Sequence, residues 1–126
     1  MADFRQEVQA VLRAIEAALE RGADANEITD LLYDEDVVVV GEGWPSAKRG
    51  RLAMIPELAA LMKEWGSPPR LIFSLVEPVM HSSVIAITLV EVKVVASGER
   101  YRIVYGWKQT TRGWRAKLEM FQGGTV

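Results

Sequence analysis

The sequence contains no cysteine. A disulfide framework, thiolate metal sites and thiol catalysis are therefore excluded together. Histidine is nearly as scarce. His81 stands alone, which rules out a multi-histidine metal cluster within one chain. No metal or cofactor is expected. An excess of one charge is also missing: 15 Lys and Arg face 17 Asp and Glu, for a formal net charge of −2. With the signs interspersed, the basic footprint of a nucleic-acid binder is absent. No apolar run approaches the ~20 residues that span a bilayer. The opening segment MADFRQEVQAVLRAIEAALE is charged throughout and lacks the apolar run of a signal peptide. A cytoplasmic protein that engages neither nucleic acid nor membrane is the expectation.

What is present is apolar patterning. The chain has 126 residues, 49% of them hydrophobic, enough for one domain over 1–126 that buries roughly two-thirds of its surface. There is no internal repeat, low-complexity tract or linker. The stretch that organises the rest is Glu99 to Phe121, which reads as two long antiparallel strands joined by Thr110-Thr111-Arg112-Gly113. Strand side chains alternate with period two. Tyr101, Ile103, Tyr105 and Trp107 therefore share one face, and Trp114, Ala116, Leu118 and Met120 share another, opposite Arg115, Lys117 and Glu119. This is a half-buried sheet whose apolar face needs a cover.

The first half supplies the cover. Asp3 and Gln6 form a capping box ahead of Phe4, Val8, Val11, Leu12, Ile15 and Leu19, an apolar stripe on a helix of about five turns. Arg21 and Gly22 end it. Asp24 with Glu27 opens a short helix carrying Ile28, Leu31 and Leu32, and Val37 to Val40 follows as a strand. Gly41 to Gly50 is a loop by composition. A third helix runs towards Trp65 and is expected to become regular only near Pro56, since proline is tolerated in a first turn. Arg70–Glu77 and Val84–Val95 read as strands, with Pro78–Ser83 as a turn between them. The order is helix, helix, strand, helix and four strands, an α+β arrangement with an antiparallel meander.

Three segments carry a resemblance. Leu31 to Val39 (LLYDEDVVV) looks like a "hydrophobic-Tyr-x-x-Asp-Ala-Val" entry into a first strand. Gly50 to Ile55 (GRLAMI) looks like a "Gly-Arg-x-x-Ile" helix start. Tyr105-Gly106-Trp107-Lys108 with Arg112-Gly113-Trp114-Arg115 looks like a final hairpin. Together they resemble the nuclear transport factor 2-like superfamily, which includes ketosteroid isomerase and the SnoaL-type polyketide cyclases. The resemblance implies a cone-shaped, cystatin-like fold, with a curved antiparallel sheet packed on about three N-terminal helices. It also implies a pocket inside the cone and, often, dimerisation through the outer sheet face. The ketosteroid isomerase positions do not carry over: Gly41 stands where the base would be and Ile15 where the helix-one tyrosine would be. Tyr105 stands where the partner aspartic acid would be, and only Tyr33 matches. This counts against steroid isomerisation.

The expected function is binding of a small apolar or aromatic organic ligand in that pocket. Its wall is expected to comprise Tyr33, Trp44, Met54, Leu58, Tyr105, Trp107, Leu118 and Met120. The alternative is a cofactor-free isomerase, cyclase or hydrolase-type enzyme with Glu42, just after the first strand, as base and Tyr105 as hydrogen-bond donor. Trp44, in a glycine-proline loop, reads as a lid or a dimer contact, and Trp65 as a core plug. His81 sits in a turn away from the pocket. Asp34, Glu35 and Asp36 read as a solvated helix end, since consecutive carboxylates without further ligands rarely converge on one ion. Arg100, Arg102, Lys108, Arg115 and Lys117 are expected on the outer sheet face with Glu91, Glu99 and Glu119 as cross-strand partners. Val92, Val94 and Val104 among them suit a homodimer interface.

Overall fold

The computed structural model describes residues 3–124. Helix α1 (Phe4–Glu20) starts where Asp3 Oδ1 accepts from the Arg5 amide at 3.1 Å, one residue short of the expected Gln6. Its stripe of Phe4, Val8, Leu12, Ile15 and Leu19 is buried. Helix α2 (Ala25–Leu32) opens as expected, with Asp24 Oδ1 accepting from the Glu27 amide at 2.9 Å. Then come β1 (Tyr33–Gly41), β2 (Lys48–Arg49), α3 (Arg51–Trp65), β3 (Leu71–His81), β4 (Ile85–Val94), β5 (Arg100–Thr110) and β6 (Gly113–Gly123).

Several boundaries differ from the sequence reading. Strand β1 takes in Asp34, Glu35 and Asp36, expected to be a helix end, and Lys48–Arg49 pair with Val38 and Val39 as β2 inside the expected Gly41–Gly50 loop. Helix α3 is regular from Arg51, with Pro56 inside it. Proline deprives the Leu52 carbonyl of its amide partner. Leu52 is 69% exposed and Pro56 is exposed too, so water can take that carbonyl. Strand β3 runs through Pro78 to His81, leaving a shorter turn. The β3–β4 register shifts between Val76 and Met80. A bulge on an edge strand is where a residue without an amide hydrogen is admitted.

The sheet order is β2-β1-β6-β5-β4-β3. Strands β3 to β6 form the antiparallel meander, but β1 lies parallel to β6, so the sheet is mixed. A parallel pair needs a long crossover, and α3 with the meander supplies it. Register also shifts between Tyr33 and Val38 on β1 and between Gly106 and Trp107 on β5. Such bulges bend strands, and here they curve the sheet over the three helices.

The motif at Gly50 has a structural basis. Gly50 sits at φ 88°, a left-handed backbone that suits glycine, and its amide donates to the Val37 carbonyl at 2.7 Å. Next to it the Arg51 guanidinium reaches Thr29 Oγ1 at 3.1 Å and Glu35 at 3.2 Å, tying α3 to α2 and β1. Glu35 is thus an ion-pair partner in the acidic cluster. Asp36 is another, since Lys117 Nζ lies 2.7 Å from its carboxylate.

Val92 and Val94, expected outside, are buried, because Val92 pairs with the inward-facing Tyr101. The outer face carries an apolar patch of different membership. Ile87 neighbours Met80 and Gly106, and Gly106 neighbours Leu118; one pleat along, Val104 neighbours Leu89 and Met120. Met80, Ile87, Leu118 and Met120 are 60%, 50%, 43% and 52% exposed.

Candidate functional site

A cavity of about 90 Å³ lies between the concave sheet face and the helices. Ile15 and Leu19 of α1, Ile28 and Leu32 of α2, and Met54, Leu58, Leu61 and Trp65 of α3 form one wall. The sheet contributes Tyr33, Leu71, Phe73, Val92, Tyr101, Ile103, Tyr105, Glu119 and Phe121. Of the residues expected to line a pocket, Tyr33, Met54, Leu58 and Tyr105 are therefore brought together.

Leu118 and Met120 are not, and the cause is a bulge. Gly106 pairs with Leu118 but Trp107 pairs with Ala116, so Lys117 is an extra residue on β6. Trp114 and Ala116 point inward, as alternation predicts. Past Lys117 the parity inverts, as any one-residue slip must make it. Leu118 and Met120 turn outward and Glu119 turns in, 5% exposed. Gly106 permits the close approach, since a Cβ there would lie 3.2 Å from Leu118 Cβ. A glycine inside a strand is itself a bulge signal. It is the one clue in the sequence to the inward turn of Glu119.

Glu119 is the only carboxyl among the described residues that line the cavity. Tyr33, which ends α2 and begins β1, donates its hydroxyl to Glu119 Oε1 at 2.8 Å. Glu119 Oε2 and the Tyr105 hydroxyl have no hydrogen-bond partner among the described residues and are not sealed from the cavity. Burial pushes the Glu119 carboxyl up from 4.5 to about 7, against the lowering effect of the Tyr33 hydrogen bond. Burial also raises both phenols well above their ordinary value, and the Glu119 charge adds to it. At neutral pH the site thus holds two uncharged phenols and a carboxyl near its midpoint. No Lys, Arg or His lines it among the described residues.

The remaining expected site residues lie elsewhere. Glu42 is exposed in the loop after β1, and its Oε2 accepts from the Gly123 amide at 2.8 Å. That bond ties the loop to the end of β6 and turns the carboxylate away from the cavity, whose lining does not include it. Trp107 faces inward but is 1% exposed, and its Nε1 donates to Thr88 Oγ1 at 2.8 Å. It is a core residue behind Tyr105, with ring centroids 5.0 Å apart. Trp44 packs one layer outside the cavity, edge-on against Phe121 at 5.2 Å between centroids.

Gly41 makes that last contact possible. A Cβ there would fall 2.6 Å from Phe121 Cζ and 2.7 Å from the Trp44 ring. The variant Gly41→Ala is expected to displace Trp44, red-shift tryptophan emission and cost about 1–3 kcal/mol. Unchanged emission and an unchanged urea midpoint would rule this packing out.

No protein-family model matches the sequence, and no curated protein does. Solved structures do match. A domain of unknown function with a cystatin-like fold from Nostoc punctiforme shares 16% identity at a TM-score of 0.74, over 97% of this chain and 78% of that one. A nuclear transport factor 2-like protein with a cystatin-like fold from Novosphingobium aromaticivorans shares 19% at 0.64, over 93% and 79%. A nuclear transport factor 2-like family protein from Streptomyces avermitilis, proposed to be a dehydratase, shares 18% at 0.70, over 96% of each chain. With three helices on a curved mixed sheet and these neighbours, the chain has the nuclear transport factor 2-like, cystatin-like fold.

Proposed function

We propose that the chain is a small-molecule-binding domain whose ligand occupies the cavity, anchored by Glu119 and Tyr105, and that two copies associate through the outer sheet face. The carrying observation is Glu119. A buried carboxyl with one free oxygen is costly to keep unless something meets it, and an apolar cleft with a few convergent polar groups is the usual form of a ligand site. The apolar patch around Ile87, Leu118 and Met120 supports the association. One fold hosts many functions, so these residues carry the reading and the neighbours do not.

A second reading is favoured by one feature. A carboxyl that changes charge near neutral pH suits general acid–base catalysis, and one neighbour is proposed to be a dehydratase. In that reading the domain is a cofactor-free isomerase, cyclase or hydrolase-type enzyme, with Glu119 in the role expected of Glu42 and Tyr105 as donor. Native mass spectrometry of gently purified protein tests both. The expected result is a dimer for the wild type and a monomer for Leu118→Asp, each retaining a small molecule. A wild-type monomer would contradict the association. A dimer that takes up nothing from a small-molecule library would contradict the ligand site. Turnover of a retained molecule that stops in Glu119→Gln would establish the second reading over the first.

A further inference from the structure

We infer that the cavity recognises a small organic cation, such as a protonated aliphatic amine, held by Glu119 and the surrounding aromatic rings. The inference rests on the ligand-binding reading above and names the ligand class. Two observations carry it. The cavity contains one carboxyl and no basic side chain among the described residues, so Glu119 has no counter-charge inside the protein. An unpaired buried carboxylate is unfavourable, and a cation supplied from outside would remove that penalty. The wall holds six aromatic residues (Tyr33, Trp65, Phe73, Tyr101, Tyr105 and Phe121). Ring faces attract cations, most strongly where water is excluded.

The hydrogen bonding agrees. Tyr33 donates to Oε1, which favours the ionised carboxyl, and leaves Oε2 open to the cavity. A carboxylate without a basic partner repels anions, so anionic ligands are excluded. Size narrows the class further. A cavity of about 150 Å³ holds benzene, and this one measures about 90 Å³. A branched amine of a few carbons fits better than a ring.

Groups facing Glu119 decide the pH dependence. From β1 it meets Tyr33 and from β5 Tyr105, while the Tyr101 hydroxyl is turned to Glu99; α1, α2, α3, β3 and β4 contribute only apolar or aromatic side chains to the lining. The phenols stay neutral, so Glu119 is the titrating group. A cation requires it ionised, and its affinity should therefore rise as pH rises through the Glu119 midpoint. A neutral ligand gains nothing from that ionisation.

The test uses isobutylamine and isobutanol, which share a branched carbon skeleton and differ in charge. Binding is followed by NMR shifts of the Tyr105 and Phe121 ring protons in wild type and Glu119→Gln. The expected result is a preference for the amine. Its affinity should fall about tenfold from about pH 8 to about pH 6, following the ionised fraction of Glu119, and the preference should vanish in the variant. Alcohol binding equal to or tighter than amine binding, or amine affinity independent of pH, would overturn the cation and leave the cavity reading intact. Ring shifts from neither probe at saturating concentration would overturn both together.

Discussion

The variant Glu119→Gln is expected to be more stable than the wild type at neutral and alkaline pH. The sign follows from proton binding. The folded Glu119 has its midpoint near 7 and the unfolded side chain near the ordinary 4.5. Below about pH 4.5 both states hold the proton and nothing is lost. Between about 4.5 and 7 the unfolded chain releases the proton while the folded one retains it, so stability falls as pH rises. Above about 7 both are ionised and the penalty is constant. At about 1.36 kcal/mol per pH unit, that span corresponds to about 3 kcal/mol. Glutamine keeps an acceptor for the Tyr33 hydroxyl and has no proton to release. Urea unfolding of both proteins from about pH 4 to about pH 9 should give curves that agree at the acid end and separate through the window, with the variant above. Parallel curves at every pH would show that Glu119 titrates as an ordinary carboxyl and would remove the basis of the site.

Trp107→Ala is expected to cost about 3–5 kcal/mol, the range for deleting a large buried aromatic. Trp107 is 1% exposed and holds Thr88, equally buried, through its indole N–H. Trp107→Phe separates the two contributions. It keeps most of the ring volume but leaves the Thr88 hydroxyl without its donor, a loss of about 1–3 kcal/mol. Thr88→Val in the Trp107→Phe background should recover part of this, because the orphaned hydroxyl is then gone. Ligand uptake by Trp107→Phe should match the wild type, since the cavity lining omits Trp107. Tyr105→Phe should behave in the opposite way, with a modest stability change and weakened uptake. A Trp107→Phe protein that is fully stable yet fails to bind would place Trp107 in the site and not behind it.

Much of the fold is legible before any coordinate. Phe4, Val8, Leu12, Ile15 and Leu19 recur at helical spacing, and the stripe is buried where that spacing puts it. Tyr101, Ile103, Tyr105 and Trp107 alternate, and all four face inward. These readings hold because period alone decides which side of a regular element faces the core. Tyr105 could be assigned inward for the same reason, whereas Tyr33, which lies beyond a register shift on β1, is expected in the pocket from the resemblance alone.

The acid of the site could not be. Local period places Glu119 with Arg115 and Lys117, facing water. Its inward turn comes from one extra residue, Lys117, whose Nζ is held by Asp36, 81 positions away in the chain, and from Gly106 across the strand pair. Neither partner is visible in a window of neighbouring residues. The sequence by itself determined the elements, their order and most of the core, because those follow from hydrophobic period and local turn chemistry. Only the tertiary structure decided which carboxyl enters the cavity. Beyond a bulge, side-chain direction is set by cross-strand register, and register is a property of the assembled sheet.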